Sequence, residues 1–297
     1  LVQGKLVEQR RTQTNQFKPA YIKDKRAPDL RKPVKRMIGE RIGGELTGAA
    51  REAANLEAEM SDQVDMIDRR LEWMAASALM NGSVLIVGDG FPAVLVDFGR
   101  DPSLSIALTG ADKWDTAFAA VGANGIYTAP SDFIEESGHN ILKKSGGTAT
   151  DLIFTTTSWK YFKLDSNVKT SLHYPRSGES NNVNIGAQIQ RGAQYKGKWG
   201  QYDLWVYNDW YIDENGVERA MVDDGKVIMS GPDLMGTRAF GQILDPAFNY
   251  AALPYAPKTW VENDPAQRLI MMQSSPIVIP SRVNASLCAT VATPKVF

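Results

Sequence analysis

A strongly basic segment without a core of its own leads directly into an unusually long helical pattern. Residues 1–41 contain twelve Lys or Arg and four Asp or Glu, a net charge of +8, and Pro19 and Pro33 interrupt them. Their alternating apolar and charged positions predict an extended two-stranded loop around a proline-containing tip, and a lone hairpin is only marginally stable in water. The segment, which we call the arm, therefore needs a surface to rest on.

The rest of the chain has a net charge of −9. A positive arm on a negative body indicates an acidic partner, which is either nucleic acid or the body of an identical neighbouring chain. The apolar side chains of the arm favour the neighbouring chain, because a purely electrostatic arm has no use for them. These side chains are Leu1, Leu6, Val7, Phe17, Tyr21 and Ile22.

The helical pattern after the arm predicts a helix over residues 46–81. Apolar residues recur at steps of three and four from Leu46 to Ala78, proline is absent, and Asn81-Gly82 supplies a stop signal. At 1.5 Å per residue, such a helix is roughly 50 Å long. Its narrow apolar stripe is suited to packing against a sheet.

The remainder of the chain predicts mixed helix and strand, with a hinge at residues 145–147. Helices are expected at residues 112–121, 130–144 and 158–164. Strands are expected at residues 84–87, 93–98, 151–154, 202–212, 217–222, 268–273 and 276–280. The length favours about two domains.

Composition excludes several classes of protein. Cys288 is the only cysteine, so no internal disulfide or Cys-rich zinc site is expected, and a reducing cytoplasmic site of synthesis fits. With His139 and His173 as the only histidines, we expect no metal and no cofactor. No run of about 18 apolar residues exists, so no membrane partner is expected.

Two glycine-rich segments resemble nucleotide-binding motifs but lack the required context. Residues 88–93 follow a strand as a dinucleotide fingerprint does, yet Pro92 and a second predicted strand stand where a helix is needed. Residues 192–198 match most of a phosphate-binding loop, but Trp199 occupies the position of the magnesium-binding Ser or Thr. Both segments are therefore interpreted as structural.

Other candidates for chemistry also have a structural interpretation. His173 could act as a general base and Asp223-Asp224 could bind a cation, but no nucleophile motif accompanies the histidine and Gly225 indicates a turn. The aromatic residues of segment 199–212 could stack on bases, but no Lys or Arg lies among them. Packing in a core or at a subunit contact is the favoured interpretation.

Short segments in a fixed order carry a resemblance to a known family. Val94–Arg100 is followed by Tyr195–Gly200, Tyr211–Val217, Gly236–Gly241, Pro257–Val261 with Asp264–Ala266, and Met272–Pro276. This series resembles the phage-lambda-type major capsid protein family over essentially the whole chain. The family's chains have a further N-terminal region before the residue that matches Leu1, so we expect that region to be missing here.

The resemblance implies an α+β fold, the Hong Kong ninety-seven-type capsid fold of tailed phages. Residues 1–41 then match the extended loop that reaches over an adjacent subunit, and residues 42–147 the peripheral domain with spine helix 46–81. Residues 148–250 match the axial domain, residues 251–280 the strand returning to the peripheral domain, and residues 281–297 a tail that rejoins the axial domain.

The function implied is that of a major capsid protein, without catalysis, whose hexamers and pentamers form an icosahedral head around double-stranded DNA. The implied partners are copies of the chain, packaged DNA bound without sequence specificity, a scaffold and a portal during assembly, and a decoration protein on the outer face. The implied locations are the virion and, during assembly, the host cytoplasm.

Charge alone suggests which residues form the subunit contacts. On the arm they are Arg10, Arg11, Lys25, Arg26, Arg31, Lys32, Lys35 and Arg36. Their expected partners on the spine helix of a neighbour are Asp62, Asp65 and Asp68. The alternatives are a soluble nucleic-acid-binding protein that uses the same arm and an enzyme with His173 or Asp223 in a cleft.

Overall fold

The computed structural model describes residues 19–28, 47–88, 91–119, 129–172, 189–190, 192–213, 215–264 and 266–295. Most of the arm, residues 1–18 and 29–41, therefore lies outside the described residues. Helix and strand are mixed throughout, as the sequence predicts.

The predicted long helix is confirmed as α1, Gly48–Asn81. It begins two residues later than expected because Thr47 is the N-cap, its side chain accepting a hydrogen bond from the Ala50 amide. It ends where Gly82 adopts a positive φ of 69° and its amide bonds to the carbonyl of Ala78. The C-terminal half carries the buried stripe, from Ile67 and Leu71 to Met74 and Ala78.

Four shorter helices follow, of which α2 and α4 start two residues away from their predicted starts and α5 was not predicted. They are α2 (Trp114–Ala119), α3 (Pro130–Ser145), α4 (Thr156–Phe162) and α5 (Ser166–Ser171). Helix α4 begins two residues before the predicted start, because Thr155 and Ser158 form a capping box there. Helix α5 was not expected; Asp165 caps it by accepting from the Asn167 amide.

Sixteen strands are described. They are β1 (Ile22–Arg26), β2 (Ser83–Gly88), β3 (Phe91–Asp97), β4 (Ser105–Ala107), β5 (Asp151–Phe154), β6 (Ile189–Gln190), β7 (Ala193–Trp199), β8 (Tyr202–Tyr207), β9 (Trp210–Ile212), β10 (Glu218–Ala220), β11 (Lys226–Ser230), β12 (Gly236–Phe240), β13 (Ala256–Asn263), β14 (Ala266–Ser274), β15 (Pro276–Pro280) and β16 (Leu287–Thr290). The predicted hairpin β2–β3 and the predicted strands β5, β14 and β15 are confirmed.

The long aromatic strand expected over residues 202–212 is two strands instead. It is interrupted at Asn208 and Asp209, whose backbone groups bond elsewhere: the Asn208 amide to the carbonyl of Gly192, and the Asp209 carbonyl to the amide of Met221. After this break β8 and β9 belong to different sheets. The expected return strand over 217–222 shortens to β10, which pairs with β9.

The largest sheet has seven strands in the order β4-β16-β11-β5-β8-β7-β6. Strand β16 is parallel to β4, and β5 is parallel to β8, while the other neighbours are antiparallel. Helices α2, α3 and α4 contribute Trp114, Ile134 and Phe162 to the core of this sheet, and each of these side chains is fully buried. The C-terminal strand β16 thus lies inside the sheet, between the edge strand β4 and β11.

The predicted domain boundary after residue 147 does not coincide with a division in packing. Strand β4 and helices α2 and α3 precede that residue, yet they share the sheet and core of residues 148–230. Strand β4 is only three residues long and its partner β16 lies about 180 positions later in the chain. A pairing so distant leaves no local signal in the sequence.

The smaller sheets surround α1. Strands β1, β14 and β13 form one sheet, and the pairs β2–β3 and β12–β15 form two others. Met74 and Ala78 of α1 pack with Val84 and Val96 of the hairpin β2–β3 and with Ile277 of β15. A separate buried cluster joins α1 to the seven-stranded sheet through Ala76, Ile228 and Cys288. Helix α1 therefore connects the two groups of strands.

Gly225 offers a test of this architecture at the turn before β11. Its φ is +77°, and a Cβ there would lie 2.4 Å from the carbonyl oxygen of Ala292. We expect Gly225→Ala to lower the free energy of unfolding by about 3 kcal/mol, of which about 1 comes from the left-handed backbone and about 2 from displaced backbone. Gly216 is the matched control, since its φ is +74° and nothing lies within 4 Å of its added Cβ.

Urea titration followed by circular dichroism measures both variants. Gly216→Ala should lose only about 1 kcal/mol, because it meets the backbone penalty alone. Equal losses in the two variants would contradict the close packing of Gly225 against residue 292.

No helix in the described ranges is both long and apolar enough to cross a membrane.

Candidate subunit-contact surface

The structure describes only part of the predicted contact set. Lys25 and Arg26 of the arm and Asp62, Asp65 and Asp68 of α1 are described. The other six candidates lie outside the described residues: Arg10, Arg11, Arg31, Lys32, Lys35 and Arg36.

The described part of the arm, residues 19–28, lies on its own chain. Strand β1 pairs antiparallel with β14, with Ile22 opposite Ser274 and Arg26 opposite Ile270. Ala20 is buried with α1 and the hairpin β2–β3. We call residues 19–28 the stem. The stem differs from the expectation for the arm as a whole, which was a loop resting on another subunit.

A polar network fixes the stem to the body. Tyr21 donates to Oε1 of Gln273 at 2.8 Å, and its hydroxyl oxygen accepts from the Leu244 amide at 2.9 Å. Gln273 is fully buried and donates through Nε2 to Asp245 at 3.1 Å. Asp245 also pairs with Lys258 at 2.7 Å. The buried amide is thus satisfied at both ends, as buried polar groups require.

The partners of Asp245 lower its pKa to about 2, with Lys258 the largest cause, followed by the Ala247 amide and Gln273. A carboxyl group whose folded-state pKa lies below its unfolded value stabilises the fold above the unfolded value of 3.8. That contribution is lost as the pH falls towards 2. The stem network therefore predicts a stability that declines in this acidic range.

We expect Asp245→Asn to flatten the decline in stability between about pH 5 and pH 2, because the variant has no carboxyl group to titrate there. Urea unfolding midpoints across that range measure the effect. Lys258→Met is the companion variant: removal of the ammonium should raise the pKa of Asp245 and move the decline to higher pH. An unchanged pH profile in both variants would rule out this network as the cause of the decline in stability at acidic pH.

Arg26 is the one predicted arm residue that meets a predicted partner among the described residues. Its guanidinium lies 2.9 Å from Asp24, 3.1 Å from Glu59 and 2.5 Å from Asp62, and these carboxylates raise its pKa despite partial desolvation. The pairing joins Arg26 and Asp62 of one chain. Because the cluster lies at the surface, each pair contributes only about 0–1 kcal/mol.

The remaining described candidates have different surroundings. Lys25 is exposed, with its ammonium 5.5 Å from the centre of the Trp260 ring. Asp68 accepts a hydrogen bond from the Tyr255 hydroxyl. Asp65 is exposed on the solvent face of α1. Asp62 is exposed as well, and Asp65 differs from it in forming no hydrogen bond or ion pair with another described residue.

Helix α1 as a whole presents an acidic surface. It contains seven Asp or Glu and three Arg, a net charge of −4. Ion pairs within the chain neutralise part of this charge, as Arg268 does for Glu52. The surplus gives α1 the sign needed to attract a basic segment.

An exposed apolar face on the hairpin β2–β3 escaped the sequence-based prediction of contacts. Leu85 and Leu95 lie opposite each other in the ladder and are 47% and 62% exposed, and Val87 follows on the same face. The inner face, with Val84, packs against α1. The sequence signal for this face is the continuous apolar run at residues 84–87. A strand covered on one face alone would alternate between apolar and polar residues.

The candidates for catalysis have structural contacts instead. Asp223 pairs with Lys226 at 2.7 Å, and Asp224 accepts hydrogen bonds from the amide and hydroxyl of Thr157 at the start of α4. His173 lies outside the described residues. Among the residues that are described, no group of three or more His, Cys, Asp or Glu could hold a metal ion.

The first nucleotide-like segment forms the expected hairpin, and the second lies in a strand that the sequence analysis did not predict. Gly88 ends β2 and Phe91 begins β3, so a strand stands where the motif needs a helix N-terminus. Residues 193–198 lie in β7, with their backbone paired to β8. The aromatic segment follows the packing interpretation: Trp199 and Tyr202 are buried in the core of the large sheet, and Tyr207 donates to Glu72 at 2.6 Å.

Comparisons with known proteins agree with the family resemblance found in the sequence. The family model described as phage major capsid protein E matches residues 1–291. The chain is 26% identical over 283 residues to the major capsid protein of Escherichia phage lambda and, equally, to that of Escherichia phage N15. Each alignment covers 94% of this chain and 80% of the relative.

A solved structure shows the same fold. It is described as a capsid protein of a prophage of E. coli CFT073 and superposes with a TM-score of 0.75 at 23% identity. The superposition covers 92% of this chain and 77% of that one.

Proposed function

The chain belongs to the phage major capsid protein E family, and from this membership we propose how its copies build a shell. It is a structural protein of the phage capsid, not an enzyme, and its copies associate with one another. Its fold is the tailed-phage capsid fold. We propose that the copies assemble as hexamers and pentamers into an icosahedral head around double-stranded DNA.

Each subunit reaches a neighbour through the arm. The family match from residue 1 to residue 291 carries this proposal, because it includes the arm together with the body. The arm has a net charge of +8 and α1 a net charge of −4, so like copies attract across the contact. The contact residues proposed on the arm remain Arg10, Arg11, Lys25, Arg26, Arg31, Lys32, Lys35 and Arg36, with Asp62, Asp65 and Asp68 opposite them.

Arg26 and Asp62 enter this contact as a preformed pair. Because they already bind each other within one chain, an incoming base has Asp65 and the oxygen of Asp62 that bonds to no described residue to approach. We therefore propose that Arg26, besides its place in the contact, also positions the stem.

The division into domains follows the resemblance, with one adjustment. Helix α1 and the three sheets around it form the peripheral part, and the seven-stranded sheet forms the axial part. The packing of α2 and α3 in the core of that sheet supports placing them in the axial part, although they precede residue 148.

Further partners act at different stages. A scaffold and a portal take part during assembly in the host cytoplasm, a decoration protein binds the outer face, and packaged DNA contacts the inner face without sequence specificity. In the mature state the chain resides in the virion.

Sedimentation velocity of purified protein without nucleic acid tests the proposed assembly, with electron microscopy of the fastest fraction. Closed particles are the expected result. Monomers that sediment faster only after DNA is added would instead support a soluble nucleic-acid-binding protein that uses the same arm.

A further inference from the structure

The turn between strands β9 and β10 contains an Asn-Gly pair, Asn215-Gly216. Both residues are exposed, and Gly216 has a φ of +74° with nothing within 4 Å of an added Cβ. The sequence has two further Asn-Gly pairs: Asn81-Gly82 at the end of α1, and Asn124-Gly125, which lies outside the described residues. The assembly proposed above assigns no role to any of these pairs.

The turn at Asn215 is held by bonds within its own hairpin. The Gly216 amide donates to the carbonyl of Asp213 at 3.0 Å, and the Asp213 carboxylate accepts from the amides of Asn215 and Val217 at 2.9 Å each. Strands β9 and β10 form a separate two-stranded sheet of three residue pairs. Such a hairpin is only marginally stable by itself, and exposed segments with few buried contacts open locally at low cost.

The pair Asn81-Gly82 places the same two residues in a packed setting. Gly82 is buried, its amide donates to the carbonyl of Ala78 at 2.9 Å, and its own carbonyl accepts from the Phe98 amide at 3.0 Å. An added Cβ on Gly82 would lie 2.7 Å from Cβ of Arg100, whose guanidinium bonds to carbonyls in the last turn of α1. The Gly82 amide is therefore released only when the end of the helix opens.

We propose that Asn215 is a site of slow deamidation in this capsid protein. The amide nitrogen of Gly216 attacks Cγ of Asn215, so that a new N–Cγ bond forms, the bond from Cγ to Nδ2 breaks, and the side-chain nitrogen leaves as ammonia with the amide proton. Glycine suits this attack because it has no Cβ to crowd the approaching backbone. Water then opens the cyclic imide, giving aspartate when it adds at Cγ and isoaspartate when it adds at the backbone carbonyl.

Either product changes the hairpin. Aspartate adds a negative charge two residues from Asp213, whose carboxylate pairs with Arg219 at 2.6 Å. Isoaspartate inserts a side-chain carbon into the backbone of the turn, and the turn fixes the register in which the strands of a hairpin pair. Trp210 and Ile212 of β9 are 41% and 69% exposed. The reaction therefore alters an apolar surface that the hairpin presents to other molecules.

Peptide mapping by mass spectrometry tests the site on the purified full chain, incubated as unassembled subunits at mildly alkaline pH. We expect Asn215 to deamidate at least about tenfold faster than Asn81, because a packed helix end opens far less often than an exposed turn. In urea, where neither segment is folded, the two rates should agree within about a factor of three. An isoaspartyl methyltransferase then detects isoaspartate in the peptide that contains residue 215.

Two results would overturn the proposal. In the first, Asn81 of the folded chain deamidates as fast as Asn215. In the second, Asn215 stays intact in the folded chain but deamidates in urea, which would mean that the turn protects it. Both measurements are independent of shell formation, so a failure of the proposed assembly leaves this test unchanged.

Gly216→Ala tests the attack itself, and urea removes any effect of the substitution on the turn. We expect at least about tenfold slower deamidation of Asn215 in urea, because the added methyl group crowds the attacking nitrogen. The matched control is Val217→Ala, which removes side-chain carbons from the next residue and leaves the attacking group unchanged. It should deamidate at the rate of the unsubstituted chain, whereas an unchanged rate in Gly216→Ala would contradict attack by the amide of residue 216.

Discussion

A chain with Glu in place of both Arg31 and Lys32 is expected to remain folded and to form at least about tenfold fewer closed shells than the unsubstituted chain. The double reversal lowers the net charge of the arm from +8 to +4. Like charges opposed across an interface disfavour association, and α1 of the receiving subunit is acidic. The described core forms without either residue, so the body should fold as before.

Circular dichroism measures the fold and sedimentation velocity measures the shells. Lys160→Glu with Lys163→Glu is the matched control, since these exposed lysines on and just after α4 give the same change in total charge outside the arm. The control should assemble normally. Normal shells from the Arg31 and Lys32 variant would refute the arm as the subunit contact, and equal loss in both variants would trace the effect to net charge.

Added salt supplies an independent check on the same contact. Exposed charges are screened over about 8 Å at physiological ionic strength, so the association of wild-type subunits should weaken as salt rises. Apolar contacts strengthen or stay constant under the same change. Assembly that survives high salt would therefore place most of the association energy in apolar surfaces such as the exposed face of the hairpin β2–β3.

Local patterns predicted the elements that depend on local signals. The stripe from Leu46 to Ala78 and the stop at Gly82 predicted α1 to within two residues, and the glycine-rich turn predicted the hairpin β2–β3. Strand β13 was missed, since Pro257 and several polar residues obscure it, although its burial alternates along the strand. Strand β4 was missed because it is short and is held only by the distant β16.

The candidate site shows where charge patterns stop being informative. Opposite charge predicted that arm bases meet acids of α1, and Arg26 does lie against Asp62. Charge alone cannot distinguish a pair within one chain from a pair between chains, because both arrangements bring opposite charges together. The stem resolves this for Arg26, since the backbone ladder between β1 and β14 holds it on its own body.

Gln63 illustrates a second limit of sequence. A glutamine within an amphipathic pattern reads as a surface residue, yet its side chain is buried between α1 and the stem. The stem must be in place before Oε1 of Gln63 is buried, and this oxygen then has no hydrogen-bond partner among the described residues. This burial therefore depends on tertiary contact and has no sequence motif.

Phe162→Ala is expected to lower the free energy of unfolding by about 4 kcal/mol, the largest loss of stability that we predict. Phe162 is fully buried at the centre of an aromatic cluster built from several elements. Its ring centre lies 4.7 Å from that of Phe154, 5.6 Å from that of Trp199 and 6.5 Å from that of Trp114. Truncation removes contacts with strands β5 and β7 and with helix α2 at once, and the surrounding rings cannot collapse fully into the space.

Phe162→Leu is the graded control, since it keeps most of the apolar volume and should cost less than about 1.5 kcal/mol. Urea unfolding of unassembled subunits measures both variants, because association would add its own free energy to the result. A loss below about 1 kcal/mol in Phe162→Ala would contradict the packed cluster. Shells of Phe162→Ala should also break at lower temperature than shells of Phe162→Leu, because each subunit must keep its seven-stranded sheet folded to remain part of a shell.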